Sequence, residues 1–187
     1  MPDLRRCDEA LGRVEALSAL RPPYHVIVSG TTARHRSELL VAHQTQALQP
    51  PGSFFSLSPE IHCASPELVL LQMAEYATDL ELLLLVDELC GHYGIQPRAS
   101  KGLVKRSDPL TNTRRILDYL DRASTPRGAS KLRRAVGRAR ERSGSPRESK
   151  TVHRLEFSSR LGGYGLEVVA LNDPVLVERA DATPAAS

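Results

Sequence analysis

Residues 65–90, SPELVLLQMAEYATDLELLLLVDELC, decide the fold. Ser65-Pro66-Glu67 is a helix start. A serine hydroxyl can accept an orphan amide hydrogen, proline is tolerated where the first-turn amide has no partner, and glutamate suits the positive end of the dipole. The spacing predicts a helix to about Ala77, after which Asp79 is placed to cap a second one ending near Gly91. Leu80, Leu82 to Val86 and Leu89 make that second helix apolar on several faces, so it is expected between other elements at the centre of the core. Leu82 to Val86 is also the longest apolar run, closed by Glu81 and Asp87. It falls far short of the ~18 residues that span a bilayer.

Toward the N-terminus, Leu4, Leu11, Val14, Leu17 and Leu20 recur at helical spacing over Asp3 to Leu20, and Arg21-Pro22-Pro23 ends that pattern. Short strands are predicted at Tyr24 to Val28, Leu39 to Ala42, Ser53 to Leu57 and Ile61 to Cys63, separated by Gly30, Pro50-Pro51-Gly52 and Ser58-Pro59. Toward the C-terminus, Gly94 to Pro109 reads as a connection. Thr111 or Asn112 opens a helix through Ile116, Leu117, Tyr119 and Leu120. After the Thr125–Gly128 break, Ala129 to Arg142 reads as one strongly basic helix. Ser145-Pro146-Arg147-Glu148 has the S-x-x-E pattern of a capping box and starts a helix to about Arg160. Leu161 to Gly165 turns the chain, Leu166 to Leu171 and Val175 to Val177 read as strands, and Arg179 to Ser187 as a frayed tail.

The 187 residues are 41% hydrophobic and 25% charged, a globular balance. Three cysteines, an odd number, and an N-terminus without an apolar segment behind its charges lead us to expect a cytoplasmic protein without a secretory signal. The net charge of +3 conceals a division. From Arg98 to Lys150 there are 16 Lys/Arg against 5 Asp/Glu, net +11, while the remainder holds 9 against 17, net −8. A field of that size draws in polyanions. On a continuous helix Lys131, Arg134 and Arg138 share a face that Arg142 continues, opposite Leu132, Ala135, Val136 and Ala139. With Arg127, Arg133, Arg147 and Lys150, these cations are the predicted nucleic-acid-binding residues, because guanidinium groups donate to phosphate oxygens in a planar fork. No aromatic residue lies between Arg122 and Arg147, so backbone contact is expected and a base-stacking platform is not.

Several clusters have a familiar order: Pro51-Gly52-Ser53-Phe54, Ala64-Ser65-Pro66-Glu67 and Leu71-Gln72-Met73-Ala74; then Glu88-Leu89-Cys90-Gly91-His92-Tyr93; then Pro109-Leu110-Thr111 and Leu120-Asp121-Arg122-Ala123; and last Ser145-Pro146-x-Glu148, Gly162-Gly163-Tyr164-Gly165-Leu166 and Leu171-Asn172. Over roughly residues 20 to 175 the chain resembles actinobacterial-type proteins with an AbiEi antitoxin-related module followed by a domain similar to very-short-patch-repair endonucleases. That resemblance implies a restriction-endonuclease-like core. In it a helix glutamate, matched here by Glu148, joins an aspartate and a Glu-x-Lys-like pair on later strands to hold Mg²⁺ and activate water. Nothing else here matches that set, so the chain is expected to be a truncated or remodelled member.

Glu148 is therefore the one candidate catalytic residue, against the plainer expectation that it caps its own helix by bonding back to Ser145. His62, Cys63, Cys90 and His92 lack the usual zinc spacing, and no local signature activates Cys7, Cys63 or Cys90 as a nucleophile. Gly162-Gly163-Tyr164-Gly165 follows a helix where a phosphate cradle would open one, and reads as a tight turn.

The sequence thus predicts an α/β (α+β) protein: an AbiEi-like module over 1–93, a linker and basic helical segment over 94–144, and a partial endonuclease-like unit with its tail over 145–187. The expected function is nucleic-acid association of defence or toxin–antitoxin type, on DNA, without a cofactor and without catalysis by this chain alone. Two alternatives stay open. One is an Mg²⁺-dependent DNA endonuclease completed by missing strands, a protein partner or a second copy. The other is an interaction module for an acidic protein. No membrane partner is expected.

Overall fold

The computed structural model describes residues 22–29, 37–45, 49–59, 61–96, 99–123, 127–168 and 171–172. The helix expected over Asp3 to Leu20, the strand at Val175 to Val177 and the tail lie outside them. Strands β1 (Tyr24–Ser29) and β2 (Leu40–Thr45) pair in parallel, while β3 (Phe54–Ser58) and β4 (Ile61–Ala64) form an antiparallel hairpin. Helices α1 (Pro66–Met73) and α2 (Asp79–Leu89) follow, then a hairpin of β5 (Tyr93–Ile95) and β6 (Leu103–Lys105). Helices α3 (Thr113–Arg122), α4 (Ala129–Val136) and α5 (Pro146–Glu156) complete the order, with a 3₁₀ turn at Ser159–Leu161. The class is mixed α+β, with five α-helices and three two-stranded sheets among the described residues.

The core gathers Leu68, Leu70 and Leu71 of α1, Leu82 and Val86 of α2, Ile116, Tyr119 and Leu120 of α3, and Leu132 and Val136 of α4. Helices from either side of residue 93 thus share one apolar interior, with α2 at its centre as its sequence demands. Each fully buried leucine contributes roughly 1.5–3 kcal/mol. No helix among the described residues is long and apolar enough to cross a membrane.

The local start signals act as expected. Ser65 accepts the Leu68 amide at 3.3 Å, Asn112 accepts that of Arg115 at 2.8 Å, and Ser145 accepts that of Glu148 at 3.2 Å. Other expectations are corrected. Thr78, not Asp79, caps α2, because it forms a reciprocal box with Glu81: the Thr78 amide donates to Oε2 at 2.8 Å and the Glu81 amide to Oγ1 at 3.3 Å. Helix α1 stops at Met73, short of Ala77, so that α2 can fold back. Glu67 does stand in the first turn of α1, as expected of a dipole partner, and beyond that it is buried and accepts the Thr111 hydroxyl at 2.5 Å, tying α1 to the start of α3. The connection at 94–109 contains the β5–β6 hairpin, whose three-residue strands are too short to show alternation.

The largest correction concerns the basic helix, which ends at Val136 instead of continuing to Arg142. Gly137 weakens helix propensity by about 1 kcal/mol relative to alanine. Tertiary bonds then redirect the chain: the Arg140 amide donates to Asp87 Oδ1 at 2.8 Å, the Arg142 amide to the Cys90 carbonyl at 3.3 Å, and the His92 amide to the Ser143 carbonyl at 2.9 Å. Asp87 is fully buried and must be satisfied, and that requirement outweighs propensity. Helix α5 likewise ends at Glu156, short of Arg160. Residues 164–168 form no strand. Instead the amides of Tyr164, Gly165 and Leu166 close the carbonyls of Arg154, Phe157 and Leu155 at 2.8–3.1 Å. A side chain at Gly163 would collide with the Phe157 carbonyl, so this return needs glycine there.

Candidate nucleic-acid interface

Because the basic helix breaks, its cations divide into two groups. Lys131, Arg133 and Arg134 stay on α4, whereas Arg138 lies in the turn after it, and Arg142 sits beyond with φ 63°. The common face predicted for Lys131, Arg134, Arg138 and Arg142 therefore does not extend to Arg142. It survives for the first three, which line one groove.

Among the described residues, three cations from Lys131 to Arg140 are held by the protein's own acids. Arg133 meets Asp121 at 2.7 Å, and Lys131 lies 3.7 Å from Asp79 while donating to the Ala77 carbonyl. Arg140 grips Glu156 through Nε, at 3.1 Å, and through Nη2. The Glu156 hydrogen bond raises the Arg140 pKa above its ordinary value. The Arg140 pair is partly shielded from solvent on both sides, whereas an exposed pair such as Arg133–Asp121 contributes roughly 0–1 kcal/mol. By contrast, Arg127, Arg134, Arg138, Arg147 and Lys150 are exposed, and among the described residues no carboxylate pairs with any of them. Arg154, which sequence reasoning passed over, joins them: Arg147, Lys150 and Arg154 stand at i, i+3 and i+7 on the exposed side of α5, whose Val152 and His153 face inward. That spacing was legible once the helix start at Ser145 was found.

Arg138 and α5 meet at Phe157. The Arg138 guanidinium carbon lies 6.0 Å from the Phe157 ring centroid, within cation–π range. Beside this pair runs a groove of about 350 Å³, with Lys131, Arg134 and Arg138 as its cationic wall. Leu80, Leu83, Phe157 and Leu161 supply its apolar surface, and the Asp79 carboxylate stands at its edge. The stretch from Arg122 to Arg147 holds no aromatic residue, and the ring beside Arg138 comes from Phe157, outside it. No local signal announces the groove, because α2, α4 and the end of α5 assemble it from distant segments.

Behind the groove lies a buried polar network. His153 Nε2–H donates to Asp87 Oδ2 at 2.6 Å, with both side chains at most 2% exposed. His153 Nδ1 is buried without a hydrogen-bond partner, 4.0 Å from Glu156 Oε2. Asp87 also takes the Arg140 amide, so this one carboxylate fastens α2 to α5 and to the segment that carries Arg138.

Glu148 behaves as a cap, with one change. Its Oε2 accepts the Gly144 amide at 2.6 Å, one residue before the expected Ser145, and its Oε1 accepts Asn172 Nδ2 at 2.8 Å. Both oxygens face neutral donors, and the described residues hold no group of three or more His, Cys, Asp or Glu arranged for a metal ion. The described residues therefore do not fit an Mg²⁺ site at Glu148. Among the weighed zinc ligands, His62 Nδ1 lies 2.9 Å from the Ser56 hydroxyl and His92 Nδ1 lies 3.1 Å from the Ser107 carbonyl. Cys90 packs in the core, where burial, reinforced by Glu141, Asp87 and Glu67, pushes its thiol up to about 12. A thiol so reluctant to ionise is a poor nucleophile.

No family model, curated protein or solved structure matches this chain.

Proposed function

We propose that the chain is a cytoplasmic nucleic-acid-associated protein of defence or toxin–antitoxin type, gripping the phosphate backbone of DNA and catalytically silent on its own. The observation that carries this reading is the set of exposed cations around α4 and α5 that no described carboxylate neutralises: Arg127, Arg134, Arg138, Arg147 and Lys150. Arg154 extends the set along α5. Guanidinium groups left in water beside few acids find their strongest partners in phosphate oxygens, and each neutralised phosphate releases a counterion. Silence is supported by Glu148, whose oxygens serve a helix end and an asparagine, and by the described residues, which hold no group of acids arranged to activate water through a metal ion. The resemblance to AbiEi-related and very-short-patch-repair-like proteins belongs to the same proposal.

The test is a titration of labelled duplex DNA at several salt concentrations. Four to six phosphate contacts give a log–log slope of roughly −3.6 to −5.4, at about −0.9 per contact. Arg134→Glu with Arg138→Glu should flatten the slope by about two contacts. No affinity even at low salt would overturn backbone binding. Mg²⁺-dependent cutting that is lost in Glu148→Ala would overturn silence.

A further inference from the structure

We propose that the groove between α2, α4 and the end of α5 receives one unpaired nucleotide, so that the chain prefers single strands and frayed or overhanging ends to blunt duplex. This rests on the phosphate-backbone reading and adds to it a ligand class that the cations alone do not select.

A nucleotide presents three chemistries, and the groove answers each. The phosphate meets Arg134 and Arg138, both exposed and neither paired with an acid among the described residues. The flat faces of the base meet Leu80, Leu83 and Leu161 on one side. Leu80 and Leu161 are 49% and 64% exposed, which leaves apolar surface uncovered. Arg138, held beside the Phe157 ring, adds a guanidinium plane on which bases stack. The edge of the base meets Asp79, whose carboxylate is 75% exposed and accepts from exocyclic amino groups.

Size agrees. About 350 Å³ lies at the small end of small-molecule pockets and suits a single nucleoside, whereas a base stacked and paired inside a duplex cannot turn its faces into a groove. An acidic leucine-rich peptide would match the cations and the apolar surface, but it brings no amino edge for the exposed Asp79 carboxylate.

The experiment uses the full chain and three labelled DNA probes: a single strand, a blunt hairpin, and the same hairpin with a four-base overhang. Fluorescence anisotropy at fixed salt should rank single strand and overhang above blunt hairpin by on the order of tenfold, the worth of one stacked base. Leu80→Ser with Leu161→Ser, both at exposed positions, should erase that preference while leaving the affinity for blunt hairpin and its salt slope unchanged. Arg134→Glu with Arg138→Glu should weaken all three probes together. Equal binding of the three probes, a preference for blunt hairpin, or a preference that survives the leucine pair would overturn the groove assignment while leaving phosphate binding standing. Failure of every probe to bind at low salt would overturn both.

Discussion

Replacing Asp87 should unfasten the site from beneath. Its carboxylate is fully buried and satisfies two donors, His153 Nε2 at 2.6 Å and the Arg140 amide at 2.8 Å. In Asp87→Ala both donors are stranded where water cannot reach, at roughly 1–3 kcal/mol each. With the small cavity left behind, the loss should reach about 3–5 kcal/mol, the range for breaking a buried pair from one side. Asp87→Asn keeps an oxygen for the Arg140 amide and should lose about half as much. Urea unfolding followed by circular dichroism reads these losses as a fall in midpoint of roughly 1.5–2.5 M for the alanine variant at a slope near 2 kcal/mol/M. His153→Ala combined with Asp87→Ala should cost clearly less than the two single losses added, because the second change removes a donor the first has already stranded. An alanine variant within about 1 kcal/mol of the parent at unchanged slope would refute the claim that Asp87 fastens the Arg138 segment, and strictly additive losses would refute its coupling to His153.

Glu148→Ala should destabilise α5 by about 0.5–2 kcal/mol, the usual worth of a helix cap, and added Mg²⁺ should shift the melting temperature of neither parent nor variant. Cys90 should resist alkylation by iodoacetamide at pH 8 until the chain is unfolded in urea, since its thiol is pushed up to about 12, with mass spectrometry of tryptic peptides as the readout. Glu81 is held below the ordinary carboxylate range by the Thr78 amide and hydroxyl. A depressed folded value means its stabilising effect is present above the ordinary range and lost as pH falls through the folded value. Thr78→Val should therefore shift the Glu81 carboxyl titration upward by NMR and flatten that acid-side loss.

What was legible in the sequence was what neighbours in the chain decide. Ser65, Asn112 and Ser145 are caps because a hydroxyl or amide oxygen stands three residues before an amide that needs it, and that geometry is local. Leu82 to Val86 had to be central because no single exposed face could be cut from it. The end of the basic helix was not legible. Nothing between Ala129 and Arg142 except Gly137 argues for a break, and the bonds that impose it come from Asp87 and Cys90, some fifty residues earlier. The cations of the site were found by counting charge, but which of them are already engaged depends on Asp79, Asp121 and Glu156, all set beside them by the fold. The groove was invisible for the same reason, since Leu80, Arg138 and Phe157 become neighbours only when the helices pack.

Lys131 has a bearing on how scanning mutagenesis of this surface should be interpreted. Its ammonium closes the Ala77 carbonyl in the bend between α1 and α2 and reaches Asp79 at the start of α2. It acts as a rivet through the hinge of a helical hairpin as well as a positive charge at a groove. Alanine there would lower ligand affinity and loosen the scaffold together, so a conspicuous score at Lys131 would overstate its contact with ligand. Arg134, whose only described bond is a 3.4 Å contact to the Ser130 carbonyl in its own helix, reports on the ligand far more cleanly.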